Sequence, residues 1–157
     1  MTRLSTAERA SLRERSTLFI HRQLDRRLSR VGVWVMRRTN GSISAKFDVS
    51  ALVLTTIGRK SGKRRSVVLQ YFPDGEAMMV VATNDGGATH PAWYLNLVST
   101  GTARIEVDGR ELNVIATQLT GAEAAGWWRR IVERAPDYKR YTRAAGRTFP
   151  ILRLTAV

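Results

Sequence analysis

Cysteine is missing from this chain of 157 residues, which has only two histidines, and no long apolar run is present. Without cysteine there is no disulfide, no thiolate nucleophile and no cysteine-ligated zinc. No Ser-His-Asp set or pair of carboxylates is apparent, so we expect neither a bound metal nor nucleophilic catalysis by side chains. No apolar segment approaches the ~20 residues that cross a bilayer, and no secretory leader is recognisable at the N-terminus. We therefore expect a cytoplasmic protein.

Acidic residues are also scarce, with 13 against 26 lysines and arginines, which gives a net charge of +13 and a pI near 11.4. Such a charge predicts an anionic partner: a phosphorylated cofactor, nucleic acid or an anionic membrane surface. The hydrophobic fraction of 43% is ordinary for a globular protein. The length predicts a single domain over residues 1–157, with an N-terminal helix and connector over 1–46 and a core over 47–157.

The main sequence feature is a basic loop, Gly58–Arg65, which contains five cations in eight residues. It joins two apolar runs of strand length, Ala51–Ile57 and Ser66–Phe72. Glycines in the loop allow the backbone to wrap closely around an anion, although a solvated basic hairpin tip is the alternative. The loop is no Walker motif, because three residues rather than four separate its glycines and a strand follows it.

The N-terminal segment, residues 5–38, is predicted to be a long amphipathic helix. An apolar stripe runs along it, and arginines lie mostly around that stripe; the stripe residues are Ile20, Leu24, Leu28, Val31 and Val35. A basic amphipathic helix can lie on an anionic membrane surface. The same stripe can instead dock on the domain or on a second subunit.

The rest of the chain predicts an α+β fold: a mostly antiparallel sheet that closes into a small barrel, with peripheral helices. Asp74-Gly75 and Asp108-Gly109 are hairpin signals, and Pro91 suits the first turn of a helix. The predicted elements after the second strand are a strand over 77–83, a helix from 91, strands over 102–107 and 110–119, a helix over 120–135, a short helical turn that carries Tyr138 and Tyr141, and a strand over 148–155.

Three segments, taken together, resemble a known family: Leu54–Gly62, Asn84–Gly87 and His90–Leu97. They are similar to the deazaflavin (F420)-dependent nitroreductase family, split β-barrel reductases of mycobacteria and related actinobacteria. The resemblance extends from about Phe47 to the C-terminus. It implies a split β-barrel that transfers hydride from reduced coenzyme F420 to a planar electron-poor acceptor such as a quinone, with nitroaromatics as promiscuous substrates.

The resemblance also implies the site residues. For the cofactor these are Arg59, Lys60, Ser61, Gly62 and Arg65 at the anionic tail, and Thr83, Asn84, Trp93 and Asn96 at the deazaflavin ring. For the acceptor they are Tyr71, Tyr138 and Tyr141, with Tyr138 as the catalytic residue that returns a proton after hydride transfer. Arginine offers phosphate or carboxylate a bidentate fork, and we expect Ser61 and the Gly62 backbone to donate to phosphate oxygens.

Several alternatives stay open at this point. Trp93 taken alone favours ordinary core packing over ligand binding, and Asn96 is equally a helix-interior residue bonded to the backbone. We leave Asp85 out of the site, because an acid there opposes an anionic cofactor. At the level of the protein, the alternatives are a non-catalytic F420 or lipid carrier and an FMN-dependent split-barrel reductase. No specific nucleic-acid partner is expected, and the chain is predicted to be a monomer or a homodimer.

Overall fold

The computed structural model describes residues 30–42 and 50–157. Within these residues the strands are β1 (Ala51–Ile57), β2 (Arg64–Gln70), β3 (Phe72–Asp74), β4 (Ala77–Val81), β5 (Thr102–Val107), β6 (Arg110–Gln118) and β7 (Ile151–Ala156). The helices described are α1 (30–38), α2 (Ala92–Thr100), α3 (Gly121–Arg134) and α4 (Asp137–Ala145). The described strands form one sheet in the order β2-β1-β5-β6-β7-β4-β3, and every pairing is antiparallel.

The sheet curls because its two end strands are neighbours in the chain. β2 and β3 stand at opposite ends of the strand order, yet Tyr71 alone separates them. One residue can bridge only a few ångströms, so the two ends of the sheet lie close together. The predicted antiparallel sheet of barrel type is therefore confirmed as a curled, seven-stranded half-barrel.

The predicted second strand is interrupted at Tyr71. The sequence suggested one strand over 66–72, but the structure ends β2 at Gln70 and starts β3 at Phe72. The Tyr71 N–H donates to the Ser50 carbonyl at 2.9 Å, and the chain then leaves the edge of β1 for the edge of β4. The Asp74-Gly75 signal consequently lies at the turn that connects β3 to β4. Among the described strands, β2 pairs with β1 alone.

The core is built on both faces of β1. Leu52 and Leu54 point into the barrel, where Leu97 of α2 joins them. Val53 points the other way and packs against Val33 and Met36 of α1. All three side chains of β1 are essentially buried, because α1 covers the outer face of the strand. A separate cluster under α3 and α4 contains Phe72, Met79, Trp127, Ile131 and Phe149.

Some predicted element bounds need correction. The helical turn with Tyr138 and Tyr141 is a nine-residue helix, α4, and the closing strand begins at Ile151 rather than at residue 148. The long N-terminal helix lies mostly outside the described residues, which show its last part as α1. No helix in the described ranges is long and apolar enough to cross a membrane.

Candidate active site

The basic loop closes on itself through its own backbone. The Gly58 N–H donates to the Lys63 carbonyl at 2.8 Å, and the Gly62 N–H donates to the Gly58 carbonyl at 2.7 Å. A Cβ at position 58 would lie 2.6 Å from the Ser61 Oγ and 3.3 Å from the Lys63 carbonyl oxygen, so the tight turn favours glycine there. The loop is therefore a compact turn that carries its long side chains outward into solvent.

This closure affects two groups that were expected to donate hydrogen bonds to a phosphate, the Gly62 N–H and the Ser61 hydroxyl. The Gly62 N–H, predicted to donate to a phosphate, donates to Gly58 instead. The Ser61 Oγ accepts the Lys63 N–H at 3.3 Å, which leaves the Ser61 hydroxyl proton for a ligand oxygen. The loop therefore offers cationic side chains and one hydroxyl more than it offers backbone amides.

The cations of the loop have no carboxylate partner within residues 30–42 and 50–157. The ion pairs formed there belong to other arginines, namely Arg37, Arg104, Arg140 and Arg153. The loop cations are Arg59, Lys60, Lys63, Arg64 and Arg65, all of them exposed. Three of these like charges lie on the turn and two on the first residues of β2, where they repel each other and favour an anionic ligand. This part of the site fits a polyanionic tail.

Asn96 of α2 anchors the loop to the barrel. Its Oδ1 accepts the Arg59 N–H at 3.1 Å, and its Nδ2 donates to the Thr56 Oγ1 at 3.3 Å. Both side chains are buried, with 6% of Asn96 and 1% of Thr56 exposed. Because both ends of the amide are bonded within the protein, its contact with a ring stays a prediction.

We expect Asn96→Ala to destabilise the protein and disorder the loop. The change leaves the buried Thr56 hydroxyl and the Arg59 N–H without their partner, which costs roughly 2–3 kcal/mol in the free energy of unfolding. Asn113→Ala, at an exposed position of β6, is the matched control and should cost less than about 0.5 kcal/mol. Urea denaturation of both variants measures the difference, and equal losses would contradict the anchoring role.

A groove of about 390 Å³ lies at the other end of β2. Its walls come from β2, the end of β4, the following loop and α4; the lining residues are Val68, Leu69, Gln70, Val81, Thr83, Asp85, Ala135, Asp137, Tyr138 and Tyr141. The structure thus brings Thr83, Tyr138 and Tyr141 together, as expected for a site. It also places Asp85 in the wall, which was not expected from the sequence.

Tyr138 lines the groove and has a strongly raised pKa. Its hydroxyl donates to the Gln70 Oε1 at 3.3 Å, and its ring meets that of Tyr141 edge-on, with 5.8 Å between the ring centroids. Burial, together with the nearby Tyr141 and the negative charge of Asp85, raises the pKa of Tyr138 to about 12. The phenol is therefore protonated at every physiological pH and acts as a hydrogen-bond donor.

Other predicted site residues are not among those that line the groove. Tyr71 packs against the barrel core and is not among the groove's lining residues; burial and nearby Asp108 raise its pKa. Trp93 is 9% exposed and belongs to the same core, so it offers a ligand little surface. Asn84 adjoins the groove residues Thr83 and Asp85, and its Nδ2 donates to the Thr89 carbonyl at 3.0 Å.

Comparison with known proteins assigns the chain to a family. The family model described as F420H(2)-dependent quinone reductase matches residues 28–156. The chain belongs to that family. An F420H(2)-dependent quinone reductase of Mycobacterium tuberculosis is 30% identical over 142 residues, which cover 87% of this chain and 95% of the relative.

Solved structures agree with this family. The F420-H2 dependent reductase FDR-A matches with a TM-score of 0.60 and 31% identity, over 67% of this chain and 93% of that one. A structure described as a domain-swapped dimer matches with a TM-score of 0.61 and 31% identity, over 67% and 79% of the two chains. The predicted resemblance is thus confirmed, and the description of the F420H(2)-dependent quinone reductase family matches the predicted enzyme class and reductant.

Three residues that support the candidate site were missed by sequence reasoning. Thr56 could have been found, because it continues the inward-facing series Leu52, Leu54, Thr56 and is its one polar member. Gln70, the partner of Tyr138, and Arg147, which binds the loop after β4, gave no local signal.

Proposed function

We propose that this chain transfers hydride from reduced F420 to a planar, electron-poor acceptor, with a quinone as its main substrate. The proposal rests chiefly on one arrangement: the basic loop and the tyrosine-lined groove lie at opposite ends of β2. Ile57 pairs with Arg64 at the loop end, and Ala51 pairs with Gln70 at the groove end. Seven residues of strand span roughly 20 Å, which suits a ligand with an anionic tail and an aromatic head.

The residues proposed to hold the tail are those of the basic loop. Arg59, Lys60 and Arg65 supply charge-assisted hydrogen bonds, which are stronger than neutral ones, and Ser61 supplies a hydroxyl. Thr83, Asn84, Trp93 and Asn96 are the ring residues that the resemblance implies. Of these, Thr83 lines the groove and Asn84 adjoins it, whereas Asn96 lies at the loop end of the strands, bonded to Arg59 and Thr56. When bound, reduced F420 supplies the hydride.

The protein's own contribution to the reaction is proposed to come from Tyr138. A protonated phenol in the groove can donate a hydrogen bond to the acceptor oxygen and pass it a proton as negative charge develops there. The phenolate, which the raised pKa disfavours, then regains a proton from water. Gln70 orients the hydroxyl, and Tyr141 packs against the ring. A nitro oxygen can accept the same hydrogen bond, so flat nitroaromatics are proposed as secondary substrates.

A fluorescence titration tests this function directly. Purified protein is titrated with F420 and, separately, with FMN, and a menaquinone analogue is then added while oxidation of the reduced cofactor is followed. Micromolar F420 binding with quinone-dependent oxidation supports the proposal. Binding without oxidation would favour the carrier alternative, and binding of FMN alone would contradict the choice of cofactor.

We also propose that α1 rests on an anionic membrane surface. Val33 and Met36 face the barrel, whereas Val31 and Trp34 on the opposite side are 55% and 63% exposed. Exposed Arg38 lies four residues beyond Trp34 on the same helix face. An indole and an aliphatic side chain beside cations suit the interface between lipid headgroups and acyl chains.

Trp34→Ala combined with Arg38→Gln should weaken binding to anionic vesicles about tenfold, from the lost indole burial and one lost charge. Co-sedimentation with phosphatidylglycerol vesicles measures this, with phosphatidylcholine vesicles as the uncharged comparison. Arg129→Gln, at an exposed position of α3, is the control variant. If the control weakens binding as much as the double variant does, the attraction comes from net charge rather than from α1.

A further inference from the structure

The loop between β4 and α2 is held in a strained conformation. Asn84 and Asp85 have φ values of 50° and 51°, and Gly86 follows with φ 75°. Non-glycine residues rarely adopt positive φ, and two in succession cost free energy that the surroundings must offset. The loop also leads from Thr83, in the wall of the groove, to the start of α2. Its shape therefore determines one side of the site.

Arg147 is the side chain that binds this loop from several directions. Its Nε donates to the Gly87 carbonyl at 3.1 Å, and its Nη2 donates to the Thr89 carbonyl at 3.0 Å and to those of Ala82 and Thr83 at 3.4 Å. The guanidinium also stacks on Phe149, with 4.7 Å from Cζ to the ring centroid. One planar group thus joins both ends of the loop.

The same contacts connect the loop to α4. Arg147 directly follows Gly146, which ends α4 with φ 62°. The loop packs so closely on α4 that a Cβ at Gly86 would lie 3.3 Å from the backbone of Tyr141. The position of the loop relative to Tyr138 and Tyr141 therefore depends on contacts made by backbone atoms, and Arg147 donates hydrogen bonds to the Thr83, Gly87 and Thr89 carbonyls of the loop.

We propose that Arg147 is a positioning residue, which holds the 83–89 loop against α4 so that the two walls of the groove keep the spacing that the ring of the cofactor requires. The inference rests on the proposed function in one respect: it takes the ring to bind beside this loop. Lysine cannot replace the arginine, because its ammonium is a point donor, whereas the guanidinium offers five donors in a plane.

The first test uses the protein without cofactor. Hydrogen exchange is measured at the Gly86 and Gly87 amides, which donate within the loop to Thr83 and Asn84. We expect Arg147→Ala to speed their exchange about tenfold or more, since the opening free energy falls with the lost charged hydrogen bonds. Arg147→Lys should behave in the same direction, and it serves as the milder variant if the alanine variant folds poorly.

The second test measures ligand binding and rescue. Arg147→Ala should weaken F420 about tenfold, and added guanidinium at low millimolar concentration should restore part of the affinity by occupying the vacated position. Arg153→Ala is the matched control, because Arg153 also makes several contacts, with Asp74 and Glu123, but away from the loop. It should leave both loop exchange and F420 affinity at the wild-type values.

The outcomes separate this inference from the proposed function. Unchanged loop exchange in both Arg147 variants overturns the inference, and so does an equal effect of Arg153→Ala. Faster loop exchange with weaker F420 binding and partial guanidinium rescue supports it. If the wild-type protein binds F420 but reduces no quinone, the proposed function fails while the exchange and binding results still decide the role of Arg147.

Discussion

Replacing Tyr138 with phenylalanine should lower kcat for quinone reduction about a hundredfold, the usual size of a positioned proton donor's contribution. The substitution removes the hydroxyl that donates to Gln70 and keeps the ring that packs on Phe72 and Tyr141. F420 affinity should therefore stay within about twofold of the wild-type value. Steady-state kinetics at saturating F420, with a binding titration, measures both quantities.

A second tyrosine provides the matched control. The Tyr94 hydroxyl also donates to a glutamine, Gln118, at 2.8 Å, but it does so outside the groove. Tyr94→Phe should leave kcat within about twofold while it loses a comparable hydrogen bond. Equal losses of kcat and F420 affinity in Tyr138→Phe would refute the proton-donor role and indicate a merely structural one.

The pKa of Tyr138, about 12, predicts that the free energy of unfolding falls at high pH. The folded value lies above the ordinary value of 10.0, so the folded state favours the protonated phenol. This contribution to the free energy of unfolding is fully present below pH 10 and is lost as the pH rises from 10 towards 12. Spectrophotometric titration should show a late tyrosine ionisation that disappears in Tyr138→Phe.

Removing two charges from the basic loop should have the largest effect on cofactor affinity. Arg59→Gln together with Arg65→Gln should raise the F420 dissociation constant about a hundredfold or more, since each charged hydrogen bond contributes roughly 1.5–3 kcal/mol. The remaining binding should also depend less on salt, because fewer charges are left to be screened. At saturating F420, kcat should be close to the wild-type value.

The control for the loss of F420 affinity removes the same number of positive charges from a surface outside the basic loop. Arg129→Gln with Arg134→Gln removes two exposed cations from α3 and should change F420 affinity less than about threefold through the general field of the protein. Titrations of both double variants at two salt concentrations distinguish the cases. If the α3 pair weakens F420 as much as the loop pair does, binding depends on net charge and the loop is not a site.

Features of the fold that depend on neighbouring residues could be predicted from the sequence. The Asp108-Gly109 hairpin and the strands on either side of it were expected within one residue of their observed bounds. The signal there is local, because the turn residues themselves adopt the positive φ values that the turn requires. The break at Tyr71 was missed, because it depends on which distant strand each half of the run pairs with.

In the candidate site, too, contacts between distant residues could not be predicted from the sequence. The basic loop was visible because its five cations are contiguous in the sequence, whereas Arg147 binds Gly87, 60 residues away. Nothing in the local pattern distinguishes that arginine from the others in an arginine-rich chain. Asn96 was predicted as a site residue, but its bonds to Thr56 and Arg59 join elements that only the tertiary structure brings together.

The length of β2 has a consequence for ligand choice. Its seven residues fix how far the basic loop stands from Gln70 and the groove. An insertion of one residue would turn Gln70 to the opposite face of the sheet, away from Tyr138. An insertion of two would restore the face but move Gln70 by about 7 Å. The strand therefore sets the distance that a ligand must have between its anionic group and its ring. An anion of suitable charge but different length can contact the basic loop or the groove, but not both.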